Sequence, residues 1–422
     1  MASGKIAVIG AGSTYTPELA EGLVARAGAL GLRDLWLMDI NPRRLGIVGG
    51  LVQRMARAGG DPFQVHMTGD RAAAIEGADF VVVQIRVGGN AARAVDERIP
   101  LEFDIIGQET TGPGGFAKAL RTIPVMLDIA GEVTALAPQA WLINFTNPSG
   151  IITEAVHRYR THRIIGLCNA PVGLQRDLAR AFGVGTEAVR MEYLGLNHLS
   201  FARRVFVNGK DVTGVALANA AEGADPVAAE YIRAIGMIPS GYLRYYYAHE
   251  QVLRKAKAAA RTRGEEVEEI ERELLKEYED PALAKKPERL SLRGGAHYSD
   301  AALAVIESLG SDAGQEHIVN VLNKGAIEGL PDDVVVELPA SIGAAGPAPR
   351  EMGALPLCVR GLVQAVKAYE QLTVKAGAEG DRAAALQALI AHPLVRSVDI
   401  ARQLLDRLLE AHRQYLPQFF GG

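Results

Sequence analysis

The stretch KIAVIGAGSTYTPEL, Lys5–Leu19, decides the fold class of this chain. Its apolar first part predicts a strand, and apolar residues at helical spacing after it predict a helix. Gly10 allows the tight turn between the two, and Gly12 lets the backbone approach a pyrophosphate at the helix N-terminus. Tyr15 stands where the fingerprint has a third glycine, so a plain glycine turn is the alternative. The context favours a dinucleotide-binding loop.

A second apolar run, 35–40 (LWLMDI), carries Asp39 near its end. An acid at this point of a dinucleotide-binding unit accepts hydrogen bonds from the ribose hydroxyls and repels a 2′-phosphate. The position therefore favours NAD over NADP, with a strand-end surface acid as the alternative.

Further apolar runs alternate with helical patterns at 80–85, 141–145 and 163–168, which indicates a parallel sheet covered on both faces. A helix is predicted over 116–136, broken or restarted at Pro124. We therefore expect an α/β chain whose residues 1–192 form a Rossmann-like, NAD-binding parallel sheet.

The pattern changes after about residue 190. Asn208-Gly209 lies between two strand-like runs and predicts a hairpin. The charge-rich stretch 250–290 predicts an exposed helix with a solvated face. Residues 193–422 are accordingly expected to form an α+β domain for substrate, metal and oligomerisation.

Composition excludes several classes of protein. The 422 residues are 48% hydrophobic and 22% charged, with a net charge of −4 at pH 7. No basic patch suggests a nucleic-acid partner, and no apolar run reaches the roughly 18–20 residues of a membrane span. Two cysteines and no signal-peptide pattern predict a reducing, cytoplasmic location.

Cys168 ends a predicted parallel strand, and ligands of open α/β sheets bind beyond such ends. His198 follows thirty residues later. A thiolate and an imidazole could together hold one divalent ion and leave positions open for substrate oxygens. The residues alone leave this open, because a lone cysteine is often a small core residue and a lone histidine a structural one.

Several long motifs occur together in one order, which is far more specific than any one of them. They are VIGAGSTYTPEL (8–19), QIRVGGNAARAVDERIP (84–100), IGQETTGPGGFAKALRTIPV (106–125), NFTNPSG (144–150), GLCNAPVG (166–173), GLNHLS (195–200), IPSGYLRYYY (238–247) and RGGAHYS (293–299). In these motifs the chain resembles glycoside hydrolase family 4, most closely its 6-phospho-β-glucosidases.

The resemblance implies a fold like that of lactate and malate dehydrogenases, with NAD and a divalent metal, manganese, as cofactors. It makes Cys168 and His198 the metal ligands and Tyr242 the catalytic base. It also implies two further sets of contacts. Those to the cofactor come from Gly10, Gly12, Ser13, Thr14, Asp39 and Arg86; those to the substrate come from Arg86, Arg93, Glu109, Asn147, Asn169 and Arg293.

The implied reaction is hydrolysis of 6-phospho-β-glucosides, such as cellobiose 6-phosphate or aryl β-glucoside 6-phosphates. NAD oxidises C3, Tyr242 removes the C2 proton, the aglycone is eliminated, water adds, and C3 is reduced again. Asn169 belongs to the Cys-Asn-x-Pro form associated with β-linked substrates. The family also implies a homodimer or homotetramer.

Competing interpretations remain for function and for residues. The chain could be an NAD-dependent hydroxy-acid dehydrogenase or a non-catalytic NAD-binding regulator. Tyr242 lies among other tyrosines, which usually means core packing. Arg86 could simply pair with Asp96 or Glu97.

Overall fold

A computed structural model describes residues 4–161, 163–294 and 298–421. In this part of the chain the strands are, in order, β1 (Lys5–Ile9), β2 (Asp34–Met38), β3 (Gln64–Thr68), β4 (Phe80–Val83), β5 (Trp141–Asn144), β6 (Ile164–Gly166), β7 (Val189–Leu196), β8 (Leu199–Val207), β9 (Lys210–Asp211), β10 (Ile238–Pro239), β11 (Gln315–Leu322), β12 (Ile327–Glu328), β13 (Val335–Gly343), β14 (Gly346–Pro349) and β15 (Gly353–Ala354).

The α-helices of the same residues are α1 (Thr16–Leu30), α2 (Pro42–Ala58), α3 (Arg71–Ile75), α4 (Gly89–Arg98), α5 (Gly112–Leu136), α6 (Ser149–Tyr159), α7 (Asn169–Phe182), α8 (Thr213–Glu222), α9 (Pro226–Ile235), α10 (Arg244–Tyr247), α11 (His249–Ala258), α12 (Arg263–Tyr278), α13 (Leu290–Arg293), α14 (Tyr298–Ser311), α15 (Leu357–Glu379), α16 (Arg382–Ala391), α17 (Val398–Ala411) and α18 (Pro417–Phe420). Short 3₁₀ turns occur at Ile99–Phe103, Thr186–Ala188, Gly241–Leu243 and Arg413–Tyr415.

The main sheet has nine strands in the order β14-β13-β11-β6-β5-β4-β1-β2-β3. The six strands from β6 to β3 pair in parallel and follow the strand order of the doubly wound dinucleotide-binding fold. All four residues of β4, FVVV, are buried, as expected where helices cover both faces of a sheet. The predicted Rossmann-like α/β class is confirmed.

Three antiparallel strands, β11, β13 and β14, extend this sheet with residues that follow position 192. The central sheet therefore crosses the expected domain boundary, and the division at residue 192 stays a prediction. Strands β7, β8, β9 and β10 form a smaller, four-stranded antiparallel sheet. The β8–β9 hairpin turns at Asn208-Gly209, both with positive φ (49° and 76°), as the sequence predicts.

The structure corrects two helical predictions, the break at Pro124 and the single helix over 250–290. Helix α5 runs unbroken from Gly112 to Leu136 with Pro124 inside it. The proline removes one backbone donor, but burial of most of the helix around it outweighs that loss. The stretch 250–290 has the predicted solvated face, but it is divided into more than one helix. It forms α11 and α12, and α12 packs against α2 and α4. Within the described residues, no helix combines the length and apolarity that a membrane crossing requires.

Candidate active site

A cavity of about 1190 Å³ opens where the parallel strands β1, β2, β4 and β5 end. Its wall includes the last residues of β1 and β2, Ile9 and Met38, and the residues just after β4 and β5, Gln84 and Phe145. This is the edge of an open α/β sheet at which ligands bind.

The glycine loop at this edge is shaped for close approach of a ligand. Gly10 has φ +87°, and a Cβ there would lie 3.0 Å from the Gln84 carbonyl oxygen. A Cβ on Gly12 would lie 2.8 Å from the Asp39 carboxyl carbon. The Asp39 carboxylate accepts hydrogen bonds from the backbone N–H of Gly12 and of Asn41, both at 2.8 Å. The loop and the acid therefore form one rigid unit that fits a dinucleotide.

Helix α12 closes the opposite side of this loop through Glu271. The Thr14 hydroxyl donates to Glu271 Oε1 (3.2 Å), as does Arg293 Nε (3.0 Å), while Arg44 Nη2 lies 3.2 Å from Oε2. Burial raises the pKa of Glu271, but Arg293 and Arg44 outweigh it and hold that pKa below its ordinary value. Thr14 itself is buried and turned towards this cluster.

Sequence reasoning missed Glu271 because charged residues surround it. The sequence feature that could have revealed it is helical periodicity. One face of the helix carries the buried residues Val267, Glu271, Leu274 and Tyr278. A carboxylate on an apolar stripe is a buried group that needs partners.

Three cations surround the Glu109 carboxylate. Arg86 Nη1 lies 2.5 Å and Lys118 Nζ 2.9 Å from Oε2, and Arg93 Nη1 lies 3.3 Å from Oε1. Burial raises the pKa of Glu109, but these charges outweigh it and hold the pKa well below the ordinary range. Burial and the Arg86 charge lower the pKa of Lys118 to about 7. Arg86 thus pairs with Glu109, and not with Asp96 or Glu97.

His198 lies in the turn between β7 and β8, and its ring stacks on that of Tyr242. The ring centroids are 3.7 Å apart and the planes meet at 6°. Burial lowers the pKa of His198 to about 3, so the imidazole is neutral, the form that binds metals. Its buried Nδ1 has no hydrogen-bond partner among the described residues.

Cys168 caps helix α7 at the end of β6, and its sulfur accepts from the Ala170 N–H at 3.4 Å. Burial raises the pKa of Tyr242, and the nearby Cys168 and Glu109 charges add to this. The buried thiol and the neutral His198 imidazole fit a divalent metal. Since the described residues hold no cluster of three or more His, Cys, Asp or Glu, such an ion would need further ligands from substrate or water.

Comparison with known proteins identifies the family. Residues 5–184 match the family 4 glycosyl hydrolases, and residues 193–395 match the family 4 glycosyl hydrolase C-terminal domain. This chain belongs to glycosyl hydrolase family 4.

Two similar proteins of family 4 cover 97–99% of this chain. A probable 6-phospho-β-glucosidase of Bacillus subtilis is 45% identical over 432 residues, covering 99% of this chain and 98% of its own. The structure of the 6-phospho-β-glucosidase from Thermotoga maritima with manganese, NAD+ and glucose-6-phosphate has a TM-score of 0.91 at 38% identity, covering 97% and 98%. Malate dehydrogenase from Plasmodium falciparum, at 16% identity, shares the fold with a TM-score of 0.53 over 95% and 99%. The predicted family and its dehydrogenase-like fold are confirmed.

Most of the residues predicted from the family 4 resemblance come together. The cavity is lined by Gly10, Gly12, Ser13, Asp39, Arg86, Arg93, Glu109, Asn147, Asn169, Tyr242 and Arg293. Thr14, Cys168 and His198 are buried and do not line it. Residues 295–297 of the RGGAHYS motif lie outside the described residues. The individual roles stay predictions.

One further cavity residue of this family 4 chain was not predicted. Arg244 follows Tyr242 by two residues and is exposed on the cavity wall. Each other basic side chain on that wall has a carboxylate within 4.0 Å: Arg44, Arg71, Arg86, Arg93, Lys118, Arg263, Arg272 and Arg293. Arg244 has none among the described residues, and its guanidinium donates to the Tyr245 hydroxyl at 3.0 Å.

Proposed function

We propose that this chain hydrolyses 6-phospho-β-glucosides, such as cellobiose 6-phosphate or aryl β-glucoside 6-phosphates, with NAD and Mn²⁺ as cofactors. The observation that carries the proposal is the single cavity that joins the glycine loop and Asp39 to Tyr242, with His198 stacked directly behind the tyrosine ring. The family match, and relatives named for this activity or solved with these cofactors, support it.

The two cofactors have distinct places in this arrangement. The loop containing Gly10 and Gly12 would hold the NAD pyrophosphate, and Asp39 its ribose. Cys168 and His198 would hold the metal. When bound, NAD would supply the hydride exchange at C3 of the sugar, and the cation would supply Lewis-acid stabilisation of negative charge on oxygen.

Tyr242 carries the proton transfer. Its phenolate oxygen would take the proton from C2 once the neighbouring C3 is a carbonyl, and the aglycone would then leave C1 by elimination. Water would add at C1, and the proton held by Tyr242 would return to C2. The stacked His198 ring fixes the plane in which the phenol lies. Burial disfavours the phenolate, so the base works only with a positive charge close to its oxygen.

Arg244 is the residue that we assign to the 6-phosphate. A phosphate dianion suits the planar donors of a guanidinium, and this one carries no competing carboxylate among the described residues. Arg86, Arg93 and Lys118 all donate to or pair with Glu109, so part of their hydrogen-bonding capacity is already used by a carboxylate. Asn169, at the start of α7, supports a β-linked substrate through the family pattern.

The decisive experiment is cleavage of a chromogenic 6-phospho-β-glucoside, with the α-anomer beside it, in the presence and absence of NAD and Mn²⁺. We expect release of the chromophore only from the β-anomer with both cofactors, and no net NADH. Steady NADH accumulation would favour a dehydrogenase. NAD binding without turnover of any phosphosugar would favour a regulator.

Assembly, location and domain division belong to the same proposal. We propose that the protein forms a homodimer or homotetramer and that it acts in the cytoplasm. We also propose that its two domains divide near residue 192. Light scattering on the purified protein tests the first point, and a stable monomer would contradict it.

A further inference from the structure

We infer that Glu337 is a positioning residue that holds the His198 turn in the geometry needed for metal binding. The inference rests on the proposed function, in which His198 is a metal ligand. Glu337 lies on β13 and does not line the cavity, and its side chain is fully buried. A carboxylate in such a place needs a full set of donors.

Three donors converge on this carboxylate. Asn197 Nδ2 donates to Oε1 at 3.0 Å and Asn320 Nδ2 to the same oxygen at 3.1 Å, while the Ser200 hydroxyl donates to Oε2 at 3.0 Å. Asn197 and Ser200 lie on the two sides of His198 in the chain. Each oxygen of Glu337 therefore fixes one side of the β7–β8 turn.

The turn needs this support because of its backbone. His198 has φ +65°, a left-handed conformation that is uncommon for residues other than glycine. Such a residue keeps its conformation only when the surrounding structure holds it. Glu337 supplies that hold through Asn197 and Ser200, which flank His198 in the chain.

The same carboxylate connects to the other parts of the site. Asn320 also lies 3.4 Å from the Gly166 carbonyl oxygen, on the strand that ends just before Cys168. Asn197 Oδ1 accepts from the Gly150 N–H at 3.5 Å, close to Asn147 in the chain. Glu337 thus ties the segments of both proposed metal ligands to one point, and outer-shell groups of this kind orient metal ligands.

A glutamate suits this position better than its neutral analogues. Its oxygens only accept, which matches three donors. In Glu337→Gln the side-chain amide would retain one oxygen for the two asparagine amides and could donate to Ser200, which in turn lies 2.7 Å from the Tyr193 hydroxyl. In Glu337→Leu all three donors would be left without this acceptor.

The test is Mn²⁺ binding to the full-length protein, measured by electron paramagnetic resonance of the free ion, with NAD binding and thermal unfolding on the same samples. The variants are Glu337→Leu, Glu337→Gln and Asn197→Ala. We expect the first and third to weaken Mn²⁺ binding by about 10- to 100-fold, with the glutamine variant closer to wild type and the NAD affinity unchanged.

Glu154→Gln is the matched control. Glu154 is equally buried, and accepts from Lys367 Nζ (2.8 Å) and the Val335 N–H (2.9 Å), neither of which belongs to the His198 turn. It should lower the unfolding temperature but leave Mn²⁺ affinity intact. Wild-type Mn²⁺ affinity in Glu337→Leu, or an equal loss of Mn²⁺ affinity in Glu154→Gln, would overturn this inference and leave the proposed function standing. If Glu337→Leu fails to fold, Asn197→Ala decides. A wild-type protein that binds no Mn²⁺ would overturn the proposed function with it.

Discussion

The imidazole of His198 lies parallel to the phenol of Tyr242, with ring centroids 3.7 Å apart and planes at 6°. The two residues come from different structural elements, the β7–β8 turn and the 3₁₀ turn before α10. A group suited to metal binding and a group suited to proton transfer are therefore held as one unit beside the cavity.

Tyr242→Phe should lower kcat by about 10²- to 10⁴-fold, the usual contribution of a general base. The phenylalanine ring keeps the stacking on His198, so the unfolding temperature should change little. Measurement of kcat with C2-protiated and C2-deuterated substrate checks the assignment. Tyr246→Phe, which removes a hydroxyl 3.4 Å from His392, is the control and should keep its activity. A Tyr242→Phe enzyme with wild-type kcat would contradict the role of the base.

Cys168→Ser should strongly weaken Mn²⁺ binding, because a serine hydroxyl stays protonated and neutral, whereas a cysteine can bind the cation as a negatively charged thiolate. Titration with Mn²⁺ after removal of metal by a chelator measures the effect. In the wild-type enzyme, added Mn²⁺ should restore the activity that the chelator removed. Cys358→Ser alters the exposed cysteine and should behave as wild type. Full activity in excess chelator would remove the metal from the mechanism.

Gly12→Ala should weaken NAD binding by at least about tenfold, or about 1.4 kcal/mol. The added Cβ would lie 2.8 Å from the Asp39 carboxyl carbon, and Asp39 is held by two backbone donors. Fluorescence titration with NAD gives the dissociation constant. In the matched variant Gly28→Ala the Cβ meets nothing within 4 Å, so NAD binding should persist and helix α1 should gain about 0.5–1 kcal/mol. Equal NAD affinity in both variants would refute the loop assignment.

Arg244→Ala should raise KM for a 6-phosphoglucoside by about 10- to 100-fold, since a hydrogen bond to a charged group contributes about 1.5–3 kcal/mol. The effect on kcat should be smaller, because the lost contact is made in the bound state and the transition state alike. Arg272→Ala is the control, as Arg272 lines the same cavity but pairs with Glu269 at 3.1 Å. An unchanged KM in Arg244→Ala would assign the phosphate to another residue.

Glu109→Gln should destabilise the fold at neutral pH by about 3–5 kcal/mol, because it leaves Arg86 and the buried Lys118 without their counter-ion, while Arg93 keeps only Glu97. The pKa of Glu109 lies well below its ordinary value of 4.5. Its stabilisation is therefore fully present above about pH 4.5 and is lost as the pH falls through the folded-state pKa.

The difference in unfolding free energy between wild type and Glu109→Gln should accordingly shrink as the pH is lowered below 4.5. Urea unfolding across pH measures it. Glu222→Gln, at an exposed position on α8, provides the comparison and should show no such difference. A gap that stays constant into acid would contradict the ion cluster.

The local parts of the molecule were predictable from sequence because their signals are local. The order of a strand, Gly10 and Gly12, and then a helix predicts a strand–turn–helix unit from neighbouring residues alone. Asp39 follows directly after the next strand. The motifs also indicated which residues to expect near one cavity. The break at Pro124 was wrong because packing along α5 outweighs one missing donor.

Sequence by itself therefore determined the parallel α/β core, the family and the kinds of chemical group in the site. Tertiary structure alone decided that Glu271 closes the glycine loop and that His198 stacks on Tyr242. It also decided that Glu337 holds the His198 turn, through a hydrogen bond from Ser200, which lies 137 residues earlier in the chain. The physical reason is that periodicity and turn chemistry act between neighbours in the chain. The meeting of distant side chains depends on how whole elements pack.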